Sequence, residues 1–170
     1  DTYESVVNWA IPLLTGKIDL PKELLDNYKN DFEKAYRAIP RQVIHRDPNP
    51  GNIILAEDEW GFIDFELSER NVRIFDPCYA ATAILSESFS EDDTEKLMKW
   101  VDIYKNIIYG YDAVATLTDE EKEAIPYVVL SNQLLATAWF SDKEKFKELY
   151  EVNKKMTEWI VGHFEELAIE

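Results

Sequence analysis

The sequence predicts a mainly α fold of the α+β type, a helical bundle carrying a small β-hairpin and loop insert, in a single domain of 170 residues. Three observations lead there. Apolar residues recur at helical spacing over most of the chain, β-branched and turn-forming residues crowd into one stretch at 42–65, and capping pairs mark the starts of later helices. With 46% hydrophobic residues the chain can bury one substantial core, and no repeat, low-complexity tract or long linker divides it.

Residues 1–14 have helical spacing. Residues 21–39 repeat the pattern, with Leu24, Leu25, Tyr28, Phe32, Tyr36 and Ile39 as the apolar stripe. Pro21 suits a first helical position, where a missing N–H loses no bond, and Pro40 stops the helix. Short strands are then expected at 43–44, 53–56 and 60–65, divided by Pro48, Pro50, Gly51 and a Glu57-Asp58-Glu59 tip, in the one strand-rich stretch. Helices follow to the end. Ser90/Asp93, Thr118/Glu121 and Ser141/Glu144 each set an N-cap hydroxyl three residues before an acid; Ser90/Asp93 only approximates the capping box, which has Glu or Gln at the second position. These pairs delimit three long helices within an expected helical region at 77–170.

The 18 basic and 34 acidic side chains give a net charge of −16, which repels a nucleic-acid backbone or an anionic membrane, so neither is expected as a partner. Most of the carboxylates read as solvated helix faces. The lone cysteine, Cys78, cannot form an intrachain disulfide, no secretory leader pattern opens the chain, and no apolar run nears the roughly 20 residues a bilayer needs. A protein of the reducing cytoplasm is the expectation. Asp1 in first place, where Met would stand, reads as the start of a segment cut from something longer.

The chemistry concentrates at 43–55 and 61–66. There an apolar strand leads into a polar loop with Asp47 and Asn52 five residues apart, a second apolar strand follows, and Asp64 ends a third. Phosphoryl transfer calls for such a set, because its transition state spreads negative charge that hard oxygen ligands and a divalent cation must meet, while a carboxylate orients the incoming hydroxyl. Asp47, Asn52 and Asp64 supply three such oxygens.

His45-Arg46-Asp47 with Asn52, followed by Ile63-Asp64-Phe65-Glu66, resembles the kinase-like superfamily, whose catalytic loop reads His-x-Asp-x-x-x-x-Asn. Pro50-Gly51-Asn52 and Glu66 make it most similar to the aminoglycoside phosphotransferase, choline kinase and homoserine kinase relatives. Protein kinases would have Lys at 49 and Gly at 66, and Arg46 stands where the antibiotic kinases usually have Gly. Asp76-Pro77 matches a further family feature, an Asp that supports the catalytic loop from below.

The resemblance implies a protein-kinase-like C-lobe without its N-lobe, since no glycine-rich loop or Val-Ala-x-Lys strand precedes residue 43. It implies Asp47 as the catalytic carboxylate, Asn52 and Asp64 as ligands of Mg2+, and His45, Arg46, Glu66 and Asp76 in support. ATP would be the donor and the hydroxyl of a small compound of aminoglycoside, choline or homoserine kind, cationic ones included, the acceptor. The absent N-lobe would be the necessary partner, with the isolated chain nearly inert and prone to self-association.

Bland readings stand beside these. His45 suits a scaffold better than a proton shuttle, while Asp47, Asn49 and Asn52 could each close an Asx-turn. Asp64 lies in an apolar run, where a buried carboxylate needs a cation; Glu66 could face water, and Asp76 could cap the next helix. In related enzymes the late helices line the acceptor pocket, which makes Trp100, Tyr104 and Trp139 candidate acceptor contacts, although aromatic stripes on helices usually pack in the core. His163 has no second ligand beside it in sequence and is read as structural. Two other classes remain: a non-catalytic, pseudokinase-like binding module, and an unrelated helical interaction protein in which Asp47, Asn52 and Asp64 would lie apart.

Overall fold

The computed structural model describes residues 1–57 and 59–170, so Asp58 in the expected 57–59 tip lies outside the described residues. Helix α1 covers residues 2–14 and α2 residues 22–38, with Pro21 one place earlier than expected, as the residue before the first turn. Each helix widens into a π-turn at its centre, Val6–Ala10 and Tyr28–Phe32. A π-turn inserts a residue and rotates the apolar stripe beyond it. The stripe meets a buried aromatic group, with Tyr3 stacked on Tyr28 at 5.7 Å and Phe32 on Tyr127 at 5.1 Å.

Four short strands follow: β1 Arg41–Ile44, β2 Ile53–Ala56, β3 Glu59–Phe62 and β4 Glu69–Val72. The strand expected at 60–65 thus ends at Phe62, and β4 appears where only helix was expected. β4 pairs antiparallel with β1, Ile44 opposite Glu69, while β2 and β3 form a separate hairpin, Ile53 opposite Phe62. Asn71 of β4, although polar, is buried because its side chain is fully used: it accepts from the Tyr36 hydroxyl at 2.9 Å and donates to Thr2 Oγ1 at 2.7 Å.

The remaining helices are α3 Phe75–Ser88, α4 Thr94–Val114, α5 Asp119–Ser141 and α6 Lys147–Gly162. Only one of the three expected caps is a true capping box, Thr118 with Glu121 at the head of α5. Helix α4 is capped by Asp93, whose side chain accepts from Lys96 N at 2.9 Å, so Ser90 falls short of the helix. Ser141 ends α5, its hydroxyl donating back to Ala138 O at 3.0 Å, and Glu144 belongs to a single tight turn before α6.

Helix α5 is the axis of the molecule, packing against α1, α2, α3 and α6. Trp100 and Tyr104, expected at an acceptor pocket, belong instead to the core. Trp100 is 2% exposed with its Nε1 donating to Ala81 O at 2.8 Å, and the Tyr104 hydroxyl donates to Leu167 O at 2.7 Å. Their polar atoms are already satisfied inside the protein, so neither can greet a ligand. No described helix is long and apolar enough to cross a membrane.

Candidate active site

Pairing Ile44 with Glu69 sets two loops side by side: 45–52, which follows β1, and 63–68, which precedes β4. Asp76, in the first turn of α3, holds the first loop from beneath, its Oδ2 accepting from His45 N at 2.8 Å and its Oδ1 from Arg46 N at 2.9 Å. Burial raises the Asp76 carboxyl above the usual range, and the two backbone donors only partly oppose it. Arg46 takes a left-handed backbone, φ 74°, a conformation that favours glycine. Its Nε lies 3.2 Å from Glu69 Oε1.

His45 ties the two loops together. Asp47 N donates to its Nδ1 at 3.3 Å, which assigns the ring proton to Nε2, and Nε2 donates to Ile63 O at 2.7 Å. The ring packs against Phe62 and Phe65, at 5.3 and 4.6 Å between centroids. Both ring nitrogens are thus occupied in holding backbone.

Asp47 receives one amide on each oxygen: Asn49 Nδ2 donates to Oδ1 at 2.9 Å and Asn52 Nδ2 to Oδ2 at 3.1 Å. Gly51 makes this possible. Its N–H donates to Asn49 Oδ1 at 2.8 Å, and a Cβ there would stand 3.0 Å from the same oxygen. The Asn52 backbone in turn accepts from Ile63 N at 3.0 Å, one residue before Asp64.

Asp64 has a left-handed backbone, φ 65° and ψ 64°, and an exposed side chain, so the expectation of a buried carboxylate is corrected. Phe62, Ile63, Phe65 and Leu67 around it are exposed as well. Among the described residues neither Asp64 nor Glu66, the latter in the tight turn Phe65–Leu67, makes a side-chain hydrogen bond within the protein. The fold therefore brings Asp47, Asn49 and Asn52 into contact, links Asp64 to them through the Ile63 backbone, and leaves Glu66 at the surface.

A cavity of about 780 Å³ adjoins this loop, with Arg46, Asp47 and Asn49 on its rim and Tyr79, Asn132 and Trp139 among its walls. Sequence reasoning missed Tyr79 and Asn132. Burial first, then the neighbouring Asp47 carboxylate, hold the Tyr79 phenol far above its ordinary value, so it stays a neutral donor. The spacing of Asp76 and Tyr79, three apart on one helix, was the available signal. Trp139 alone of the expected aromatics reaches the cavity; it is 58% exposed, and the Lys143 ammonium sits 3.2 Å above its ring.

No cluster of three or more His, Cys, Asp or Glu able to hold a cation exists among the described residues. Two oxygen groups on the paired loops are nonetheless unspent. Asn52 spends its Nδ2 on Asp47, leaving Oδ1 without a protein donor, and the Asp64 carboxylate is likewise unspent. One carboxylate and one amide oxygen, both hard, suit Mg2+, which keeps most of its waters and takes the rest from phosphate.

This motif, on this scaffold, is a phosphotransferase pattern. Residues 2–115 match the phosphotransferase enzyme family, and the chain belongs to it. Among known proteins it is similar to homoserine kinase of Mesorhizobium japonicum, 34% identical over 98 residues, covering 56% of this chain and 28% of that one. Homoserine kinase of Sinorhizobium medicae is 31% identical over 99 residues, 58% of this chain and 28% of the other. That of Sinorhizobium fredii is 29% identical over 139 residues, 76% of this chain and 40% of the other. The matched part thus spans well under half the length of these relatives. No solved structure matches the chain.

Proposed function

We propose that this chain is the catalytic-loop lobe, of protein-kinase C-lobe type, of a small-molecule kinase that moves the γ-phosphoryl group of ATP to an alcohol. The observation that carries the reading is Asp47, fixed by two amides at the rim of a cavity large enough for a small ligand. In this reading an acceptor hydroxyl in the cavity donates to Asp47, its oxygen attacks the γ-phosphorus, the bond to the β–γ bridging oxygen breaks, and the proton passes to Asp47. Asn52 and Asp64 would hold Mg2+, which when bound neutralises charge on the phosphates. His45 and Asp76 keep the two loops in register, and Arg46, paired with Glu69, braces the loop from its rim.

The relatives are named for homoserine, which favours a small amino alcohol over an aminoglycoside or choline as acceptor. The exposed apolar side chains Val43, Leu55, Trp60, Phe62 and Phe65 beside the loops support a second lobe of the same polypeptide covering that face and gripping the nucleotide. Glu66, exposed at its edge, would then face the ion through water.

The test uses the full-length protein with MgATP and a panel of hydroxylated amines, amino acids and sugars. ADP release should require both acceptor and magnesium, and Asp47→Asn should lower it by about 10² to 10⁴-fold. Absence of acceptor-dependent ADP release across the panel overturns the reading.

A further inference from the structure

Asn132, in the middle of α5, is 5% exposed, and neither its amide nitrogen nor its amide oxygen has a hydrogen-bond partner among the described residues. Burying an amide without partners costs free energy, so such groups are rare, and one on a cavity wall is placed to bond what fills the cavity. The neighbours make the contrast plain. Ser131 bonds to the Tyr28 hydroxyl, Gln133 Nε2 donates to Asn153 Oδ1 at 3.1 Å, and Thr137 meets Thr157 at 2.8 Å. Asn132 alone of these lies unpaired, and it lines the cavity that Asp47 rims.

We propose that Asn132 anchors the phosphoryl acceptor, and that the acceptor is an amino alcohol of amino-acid type. This rests on the phosphotransfer reading. A primary amide needs a partner that accepts and one that donates, and an amino acid meets both with charge-assisted bonds: its carboxylate takes a hydrogen bond from Nδ2, its ammonium gives one to Oδ1, and the hydroxyl is left to reach Asp47. A quaternary ammonium can do neither and would leave Asn132 orphaned. Of the three aromatics expected to meet such a cation, only Trp139 reaches the cavity, and the Lys143 ammonium already sits over its ring. Tyr79, a neutral donor on the same wall, adds a further contact for a hydroxyl or carboxylate.

The experiment compares full-length wild type with Asn132→Leu, close in volume, measuring ligand-free Tm, the thermal shift given by homoserine, serine, choline and kanamycin, and KM and kcat for each. Removing an orphaned amide should leave the ligand-free Tm equal or higher. The shift given by homoserine or serine should vanish, and KM should rise about ten- to a hundredfold, the scale of one hydrogen bond to a charged group, with kcat changed far less. If the Leu side chain does not fit, Asn132→Ala should give the same KM-against-kcat split. A lowered Tm with unchanged KM overturns the proposal, because Asn132 would then be serving the fold. Choline or kanamycin as the sole acceptor overturns it too, as does the lack of any shift with the amino alcohols. Binding of homoserine or serine that depends on Asn132 without ADP release would sink the phosphotransfer reading, and Asn132 would then hold an amino alcohol that is not phosphorylated; ADP release from an amino alcohol indifferent to Asn132 would overturn the anchor and keep the phosphotransfer reading.

Discussion

A carboxylate that takes an amide donor on each oxygen, as Asp47 does from Asn49 and Asn52, is aimed before any ligand arrives. Asp64 has no such partner among the described residues, and in the proposed roles the two acids should fail differently. In the full-length protein Asp47→Ala should keep MgATP affinity within a few-fold while turnover falls by about 10² to 10⁴. Asp64→Ala should lose affinity and turnover together; calorimetry and kinetics on the same samples check both, and equal loss of nucleotide binding would undo the division of roles. Asp76 gives a pH signature. Because burial raises its folded pKa, its contribution to stability is complete in acid and is lost as the pH climbs through that raised value. Asp76→Asn should remove that segment of the Tm-against-pH curve, and it should lower turnover as well, since an amide N–H₂ turned toward His45 N or Arg46 N cannot accept. The contact between Asp47 and Asn52 was legible in the sequence because the two lie five residues apart in one short polar loop. The exposure of Asp64, the burial of Trp100 and the orphaned amide of Asn132 were not, because each depends on what the fold sets opposite.

Helix starts were readable where the cap closes on its own helix and misread where it does not. At Thr118 the box is intact, and the structure adds a partner no local pattern shows: Arg73, on the segment after β4, donates to both Glu121 oxygens at 2.7 Å. Glu121 is fully buried and Arg73 mostly so, and that hydrogen bond raises the Arg73 pKa further. Glu121→Ala would leave the mostly buried guanidinium without its carboxylate and open the α5 cap. A loss of about 3 kcal/mol by denaturant unfolding is expected, with Glu121→Gln milder. Strand β4 was illegible for a related reason. Glu69-Arg70-Asn71 has no apolar alternation, and only the pairing with β1 and the bonds Asn71 makes to Tyr36 and Thr2 turn that polar run into a strand. The π-turns in α1 and α2 likewise left the helical spacing readable and its rotation invisible.

Across the whole molecule, apolar exposure and charge oppose one another. Leu55 and Trp60, 80% and 67% exposed, sit on one face of a chain whose net charge is −16. Residues 1–170 on their own should therefore self-associate weakly at low ionic strength and more strongly as salt screens the repulsion. Sedimentation at two salt concentrations tests this, and Leu55→Lys with Trp60→Lys should abolish it; a monomer at both would argue that the face needs no cover. The same face is also where the fold is thinnest. The β2–β3 hairpin packs against little besides itself, and a lone two-stranded ribbon is marginal in water. Asp64 leaves this hairpin, while Asp47 is braced by α3. Amide hydrogens of 53–56 and 59–62 should consequently exchange with solvent orders of magnitude faster than those of α5, as a separate opening unit. One half of the site would then be a rigid floor and the other a leaf that occupancy must still, so that ligand binding would be felt first as slowed exchange in the hairpin.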